Sequence, residues 1–304
     1  MALWVTAAAV LAPLCARGAE SIDAEEFAKR CAQAQGHLAI DADLLVEGGS
    51  AEIAECRIQL GAARIDFRDV EFAAIGFLMI DGQADGEIRV ERSLIIQSPS
   101  LTKPVNILLR AHHLRLDATT LDFVGTVHLE TGAADRGQLH VESSLLRARA
   151  GDIHIGSSGR GRDGSSVMRL CELVAGFDGI SILASAMAPR GAGRIRVEQS
   201  CLESPGPIVI QTGEEGRTRV HRNRCVSERG LTGIHAGTTV NIFSGKAGET
   251  TVDENRIVAE EEAAISSEGR TRVRENNFVG SGGITIEGPS CEARRNVPEV
   301  TCSN

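Results

Sequence analysis

Residues 252–257 read VDENRI, and the same order of types (apolar, any, any, small polar, any, apolar) returns along most of the chain. It appears as VERSLI at Val90, VESSLL at Val141, VEQSCL at Val197, VHRNRC at Val220 and VRENNF at Val273. Looser copies are IAECRI at Ile53, FRDVEF at Phe67, LDATTL at Leu116, MRLCEL at Met168 and ARRNVP at Ala293. The fourth position runs Cys56, Val70, Ser93, Thr119, Ser144, Cys171, Ser200, Asn223, Asn255, Asn276, Asn296. Most intervals fall between 20 and 29 residues, with 14 at the start and 32 between Asn223 and Asn255. A period of that size is the mark of a repeat architecture.

A second motif lies between copies: a Gly followed by alternating apolar residues, as at Gly151 (GDIHI), Gly179 (GISI), Gly233 (GIHA) and Gly283 (GITI), with PIVI at Pro207 as a variant. Both motifs have period two, the pattern of a strand with one buried face. Helical periodicity is confined to IDAEEFAKRCAQA after Ser21, where Asp23 can cap a helix and Phe27 and Cys31 share a face. Many short strands at a coil-sized period predict an all-β solenoid. The small polar residue is expected at the bend between two strands, taking left-handed dihedrals and hydrogen-bonding along the stack.

On these motifs residues 50 to 298 resemble the right-handed parallel β-helix superfamily, the pectate-lyase-like repeats. The resemblance implies about ten coils of three short parallel sheets, with a short N-terminal capping helix. The expected organisation is a signal peptide over 1–18, an N-terminal cap over 19–49, the parallel β-helix over 50–298 and a C-terminal tail over 299–304. Activity does not follow, because that superfamily holds lyases, hydrolases, epimerases, adhesins and inert scaffolds.

Met1 to Ala19 has an apolar run from Ala2 to Leu14, then Ala16 and Gly18 before a cleavage point, so export to a periplasm or the exterior is expected. No later segment reaches ~18 consecutive apolar residues. Export permits disulfides, and the spacing suggests Cys31 with Cys56 and Cys291 with Cys302. Seven cysteines remain after the leader, so at least one thiol is unpaired. The balance of 32 basic and 41 acidic residues, net −9, argues against nucleic acid as a partner. Aromatic residues make up 3% of the chain, which leaves few faces for stacking on sugars or bases.

Three places carry candidate chemistry. On the Gly-Ile strand an exposed column is expected to run Asn106, His128, His154, Ser181, Val209, His235, Ser266, Thr285. His128 and His154 would be neighbours one coil apart and are the candidate catalytic pair, while His235, a candidate ligand-binding residue, would lie too far along to join them. Glu130 and Asp152 are near in sequence but are expected to point away. The loop GSSGRGRDGSS from Gly156 offers Arg160, Arg162 and Asp163 to an anionic sugar; its glycines do not make a dinucleotide site, because a strand follows rather than a helix. On the template strand a mostly basic column (Arg89, Arg115, His140, Arg196, Arg219, Arg272) stands beside a mostly acidic one (Glu91, Asp117, Glu142, Glu198, Asp253). Surface pairs in such a lattice contribute only ~0–1 kcal/mol each. The segment from Gly237, GTTVNIFSGKAGET, reads as a long excursion carrying Val240, Ile242 and Phe243 that folds over the flank or meets a partner, with packing onto the coil as the default expectation.

No CxxC or His-x-x-x-His spacing supports a metal site, and no cofactor is expected. The Gly-His-Gly with paired aspartates of polygalacturonases, the Asp-Pro-His of alginate epimerases and the Arg-x-x-Pro-x-x-x-Arg of pectate lyases are missing. The expectation is a non-catalytic structural or recognition element binding a protein partner or cell-envelope glycan. The alternative is a polysaccharide lyase or epimerase acting on an acidic polysaccharide.

Overall fold

From the strand Leu44–Glu47 onward, every complete circuit of the chain in the computed structural model visits three parallel sheets in the same order, sheet 1, sheet 3, then sheet 2. In the circuit before it the helix Ala24–Gln33 stands between the sheet 1 and sheet 2 strands. The structure describes residues 19–82, 85–131, 136–157, 164–177, 179–184, 191–224, 233–280 and 282–303; the expected leader lies outside them. Sheet 1 has twelve strands, from Glu20–Ile22 to Ser290–Arg294; sheet 2 has eleven, from His37–Ile40 to Gly283–Glu287; sheet 3 has ten, from Ser50–Ile53 to Asn277–Val279. Equivalent residues superpose coil on coil, Val90 opposite Leu116 and Leu116 opposite Val141. The architecture is the parallel β-helix that the repeat implies.

Alternation sorts the side chains. In sheet 2 the inward positions Ile107, Val127, Ile153, Ile180 and Ile208 form one column, each at most 1% exposed. Full burial of such a side chain is worth roughly 1.5–3 kcal/mol. Aliphatic stacks of this kind make up most of the coil interior, with Phe123 and Phe278 also buried in it. Three of the phenylalanines, Phe27, Phe67 and Phe72, instead cluster at the N-terminal end with ring centroids 5.2 to 5.8 Å apart. Phe27 comes from the helix α1 (Ala24–Gln33), whose N-cap Asp23 accepts a hydrogen bond from the Glu26 N–H at 2.8 Å. The Cys31–Cys56 disulfide ties α1 to sheet 2, and Cys291–Cys302 ties the tail to the last strand of sheet 1. Both bridges are the ones expected. Among the described residues Cys171 is a free, buried thiol, and Cys201 is also in a disulfide.

The corner from sheet 1 to sheet 3 is the repeat's signature, and it differs from expectation in one respect. The left-handed residue is the one before the small polar anchor: Asp69, Arg92, Ala118, Ser143, Leu170, Gln199, Arg222, Glu254, Glu275 and Arg295 all have φ between 46° and 55°. The anchor itself turns inward and bonds the coil before it. Val70 N donates to Ser93 Oγ (3.3 Å), Thr119 N to Ser144 Oγ (3.1 Å) and Cys171 N to Ser200 Oγ (3.2 Å). From Ser200 onward the acceptors are amides: Ser200 N to Asn223 Oδ1 (2.8 Å), Asn223 N to Asn255 Oδ1 (3.0 Å), Asn255 N to Asn276 Oδ1 (2.9 Å), Asn276 N to Asn296 Oδ1 (3.0 Å). Each Asn Nδ2 also donates to a strand carbonyl of the preceding coil, as Asn255 does to Val220 O at 2.9 Å. These bonds satisfy buried backbone groups that strand pairing leaves over.

Three features read from sequence are placed differently. The copy at Ile53 is out of phase: Ile53 ends a sheet 3 strand and Cys56 begins a sheet 2 strand, so the anchor of that coil is Gly49, which stands one coil before Val70. The segment after Gly237 is not an excursion. Thr239–Ser244 is a sheet 2 strand with Val240 and Ile242 in the core. Residues 19–49 hold strands as well as the helix, Glu20–Ile22 and Leu44–Glu47 in sheet 1 and His37–Ile40 in sheet 2.

Candidate functional site

Sheet 2 brings His128 and His154 together. Val127–Glu130 and Ile153–Ser157 are adjacent strands in which His128 pairs with His154, both on the outer face because Val127, Leu129, Ile153 and Ile155 occupy the inner one. Their rings meet edge to face, with centroids 4.5 Å apart and planes at 66°. Burial holds both imidazoles below their ordinary pKa near 6.5; the neighbouring His154 lowers His128 further, while Glu130 opposes. The pair is therefore uncharged at neutral pH. His128 Nε2 is buried without a hydrogen bond, 3.6 Å from Glu130 Oε2.

Glu130 faces the same way as His128, contrary to expectation, since residues i and i+2 of a strand share a face. It is committed to Arg110, whose Nε and Nη2 reach Glu130 Oε2 at 3.1 and 3.0 Å, and Arg110 Nη1 lies 3.5 Å from Asp81 Oδ2. Asp152 accepts from Thr126 Oγ1 at 2.6 Å and fixes the corner before His154. Opposite Glu130 stands Gly156, where a Cβ would come within 3.1 Å of His154 Nε2; glycine keeps that edge of the imidazole open. Chemically the pair can accept a proton at neutral pH. Among the described residues no group of three or more His, Cys, Asp or Glu is arranged to hold a metal ion.

His235 is not part of this face. It lies on Ile234–Ala236 in sheet 3, between Glu203 and Val258, because the GIHA motif falls one sheet earlier in its coil than the other Gly-Ile strands. The sheet 2 column continues from His154 through Ser181, Val209, Asn241, Ala264 and Thr285, and Ser266 stands in the column beside it. Arg160, Arg162 and Asp163 lie outside the described residues.

Sheet 1 carries the charge lattice in the register expected, Arg89 opposite Arg115 opposite His140 and Glu91 opposite Asp117 opposite Glu142. Many charges pair within a strand, Arg89 with Glu87 at 2.7 Å, Arg115 with Asp117 at 3.6 Å and Arg196 with Glu198 at 2.6 Å. Around Arg89, His113, Arg115, Gln138 and His140 the face forms an open depression of about 390 Å³. His113 and Gln138 were missed in sequence because they occupy the first outward position of each strand, ahead of the repeated template.

A second set of features absent from the sequence reading is a row of buried hydroxyls at the corner from sheet 2 to sheet 1. Thr212 Oγ1 lies 3.2 Å from Thr218 Oγ1, Ser244 Oγ lies 2.6 Å from Thr250 Oγ1, and Thr271 Oγ1 donates to Glu287 O at 2.8 Å. Thr at an inward strand position was the available signal, obscured because it reads as a break in the apolar alternation. In comparisons with protein-family models, curated proteins and solved structures, nothing matches the chain.

Proposed function

We propose that this chain is an exported, non-catalytic β-helix serving as a recognition element, and that it binds an envelope protein or glycan along the outer face of sheet 1. The observation that carries the proposal is the register of that face, where charged side chains recur on successive strands with a fixed repeat of about 4.8 Å. A flat, periodic, charged surface suits a partner that is itself extended. The cysteine bridges are compatible with export, as is the finding that no helix among the described residues is long and apolar enough to cross a membrane. The test incubates the purified chain with envelope extracts and acidic polysaccharides, reading binding and the appearance of unsaturated sugar ends together. Retention without new ends is the expected result; turnover would overturn it.

The uncharged His128–His154 pair favours one second reading, a polysaccharide lyase or epimerase using an imidazole as general base. That reading requires turnover that disappears in both His128→Gln and His154→Gln.

A further inference from the structure

Arg224, Arg256 and Asn277 each follow the Asn anchor of their coil, so they stand on successive turns of the corner from sheet 1 to sheet 3, about 4.8 Å apart. With Arg295 and Glu275 they line an open depression of about 450 Å³. The acids of this corner are already engaged, Glu254 with Arg222 at 3.1 Å and Glu275 with Arg295 at 3.1 Å. Arg224 reaches along the axis and donates only to backbone carbonyls, from Nε to Glu254 O at 2.6 Å and from Nη2 to Glu275 O at 3.0 Å. Those bonds fix its position and leave its charge unanswered. Arg256 makes no ion pair or side-chain hydrogen bond among the described residues, and its Nε is buried without an acceptor.

A guanidinium has no neutral form to adopt, and a charged donor withdrawn from water costs free energy unless an acceptor meets it. Arg224 has a task in the fold, closing two carbonyls; Arg256 has none. Three guanidiniums and one carboxylate give the depression a net of two positive charges, in a chain whose overall charge is −9. Arg224 keeps its Nη1 side free and Arg256 both terminal nitrogens, so two forks on neighbouring coils border the same space. A carboxylate is planar, carries one charge and is filled by a single fork. A phosphomonoester carries ≈ −1.5 to −2 at pH 7 and presents three acceptor oxygens, which suits two forks and the net charge of the depression. We infer that Arg224 and Arg256 form a site for the phosphate group of a phosphomonoester, carried by a soluble ester or by a lipid head group. The depression is open on its outer side, which leaves room for the rest of the ligand. This corner lies off the outer face of sheet 1, and the site does not depend on recognition along that face.

The experiment titrates the purified chain calorimetrically with glycerophosphate, inorganic phosphate and acetate, and floats it with phosphatidylcholine vesicles with and without phosphatidate. It compares the wild type with Arg256→Gln, Arg256→Lys and Arg194→Gln. Arg194 is an exposed sheet 1 arginine that makes no ion pair among the described residues, so its removal controls for net charge. Because Arg256 holds no partner, Arg256→Gln keeps the wild-type circular dichroism and urea midpoint. The wild type binds a phosphomonoester with a Kd of about 1 mM, as two charge-assisted contacts provide. Arg256→Gln weakens that binding about tenfold, and Arg256→Lys weakens it less, since lysine keeps the charge and loses the fork. Arg194→Gln leaves it unchanged. Binding of glycerophosphate identifies a soluble ester, and binding of phosphatidate vesicles alone identifies a lipid head group; either upholds the phosphate site. Acetate bound as tightly as the esters, inorganic phosphate bound while both esters are refused, or no probe bound at all overturns the assignment. So does equal binding by wild type and Arg256→Gln, an equal loss in Arg194→Gln, or a lowered urea midpoint in Arg256→Gln, which would show that the fold itself uses this arginine.

Discussion

Asn255→Ala tests the anchor ladder at its most connected point. The side chain is fully buried and makes four hydrogen bonds: Oδ1 accepts from Asn223 N at 3.0 Å and Asn223 Nδ2 at 2.8 Å, and Nδ2 donates to Val220 O at 2.9 Å and Asn276 Oδ1 at 2.9 Å. Truncation leaves the Asn223 backbone N–H buried without an acceptor, at about 1–3 kcal/mol, and forfeits three further bonds of roughly 1 kcal/mol each. Two of the groups involved keep other partners, since Asn223 Nδ2 still donates to Val197 O and Asn276 Oδ1 still accepts from Asn255 N. The expected loss is therefore about 3–5 kcal/mol. Ser144→Ala removes only the bonds to Thr119 N and Glu142 O and by the same accounting should cost less, about 2–4 kcal/mol. Asn255→Ser should recover about half the loss, because the chain itself uses Ser at this position in other coils. The readout is the urea midpoint followed by far-UV circular dichroism, since the chain has no Tyr and its one Trp, Trp4, lies in the expected leader. A cost for Asn255→Ala no larger than that of Ser144→Ala would refute the idea that the amides hold the coils in register.

Three other expectations follow from the same structure. Opening Cys31–Cys56 by paired Ser substitution should cost about 3.5 kcal/mol and opening Cys291–Cys302 about 2.8 kcal/mol, from loop separations of 25 and 11 residues; the reverse order in urea midpoints would count against α1 as the stabilising cap. His113, His128 and His154 are held below their ordinary pKa chiefly by burial, so their stabilising contribution is present above pH ~6.5 and is lost as pH falls toward their folded values, where the unfolded chain alone takes up protons. His128→Gln/His154→Gln should flatten that acid-side decline in urea midpoint, and an unchanged slope would show the pair to be ordinary surface. Burial pushes the Cys171 thiol up to about 11, so iodoacetamide at pH 8 should label it only in urea, and rapid labelling of the native chain would contradict its place among the anchors.

How far the sequence led differs from corner to corner. The corner from sheet 1 to sheet 3 was legible because its inward residue must be small and polar to reach the backbone of the preceding coil, so Ser93, Ser144, Asn223 and Asn255 share a chemistry that survives variation around them. The left-handed residue beside it was not, since Arg92, Ala118, Leu170 and Glu254 have nothing in common. A left-handed dihedral costs roughly 1–2 kcal/mol at any such residue, and the geometry of the corner imposes it whatever the side chain. His235 went astray for a related reason. The Gly-Ile motif marks entry to a strand but not which sheet the strand joins, and the 32 residues between Asn223 and Asn255 shift that entry by one sheet. For the candidate sites, the sequence supplied residues by column, and register joined His128 to His154; it did not indicate that Arg194 and Arg217 would lack partners, because partnering depends on the neighbouring strands.

The distinction between the two candidate sites lies in what each residue costs the fold. In sheet 2, His128 and His154 are tolerated because burial keeps them neutral; two uncharged rings in edge-to-face contact do not repel, and such a pair needs no ligand to account for it. In sheet 1, the arginines have no neutral form to retreat to, since a guanidinium remains charged at every physiological pH. Their repulsion is relieved only by screening or by an anion. A solenoid amplifies this, because each outward position stands about 4.8 Å from its copies in the coils on either side, and a charge repeated on successive strands has no freedom to move apart. Substituting Arg217, which stands opposite Arg194 and makes no ion pair among the described residues, by Gln should therefore leave stability unchanged or raise it by up to about 0.5 kcal/mol, read from the urea midpoint. A destabilised Arg217→Gln would mean that this arginine is held by contacts within the fold, and the repulsion argument would fall.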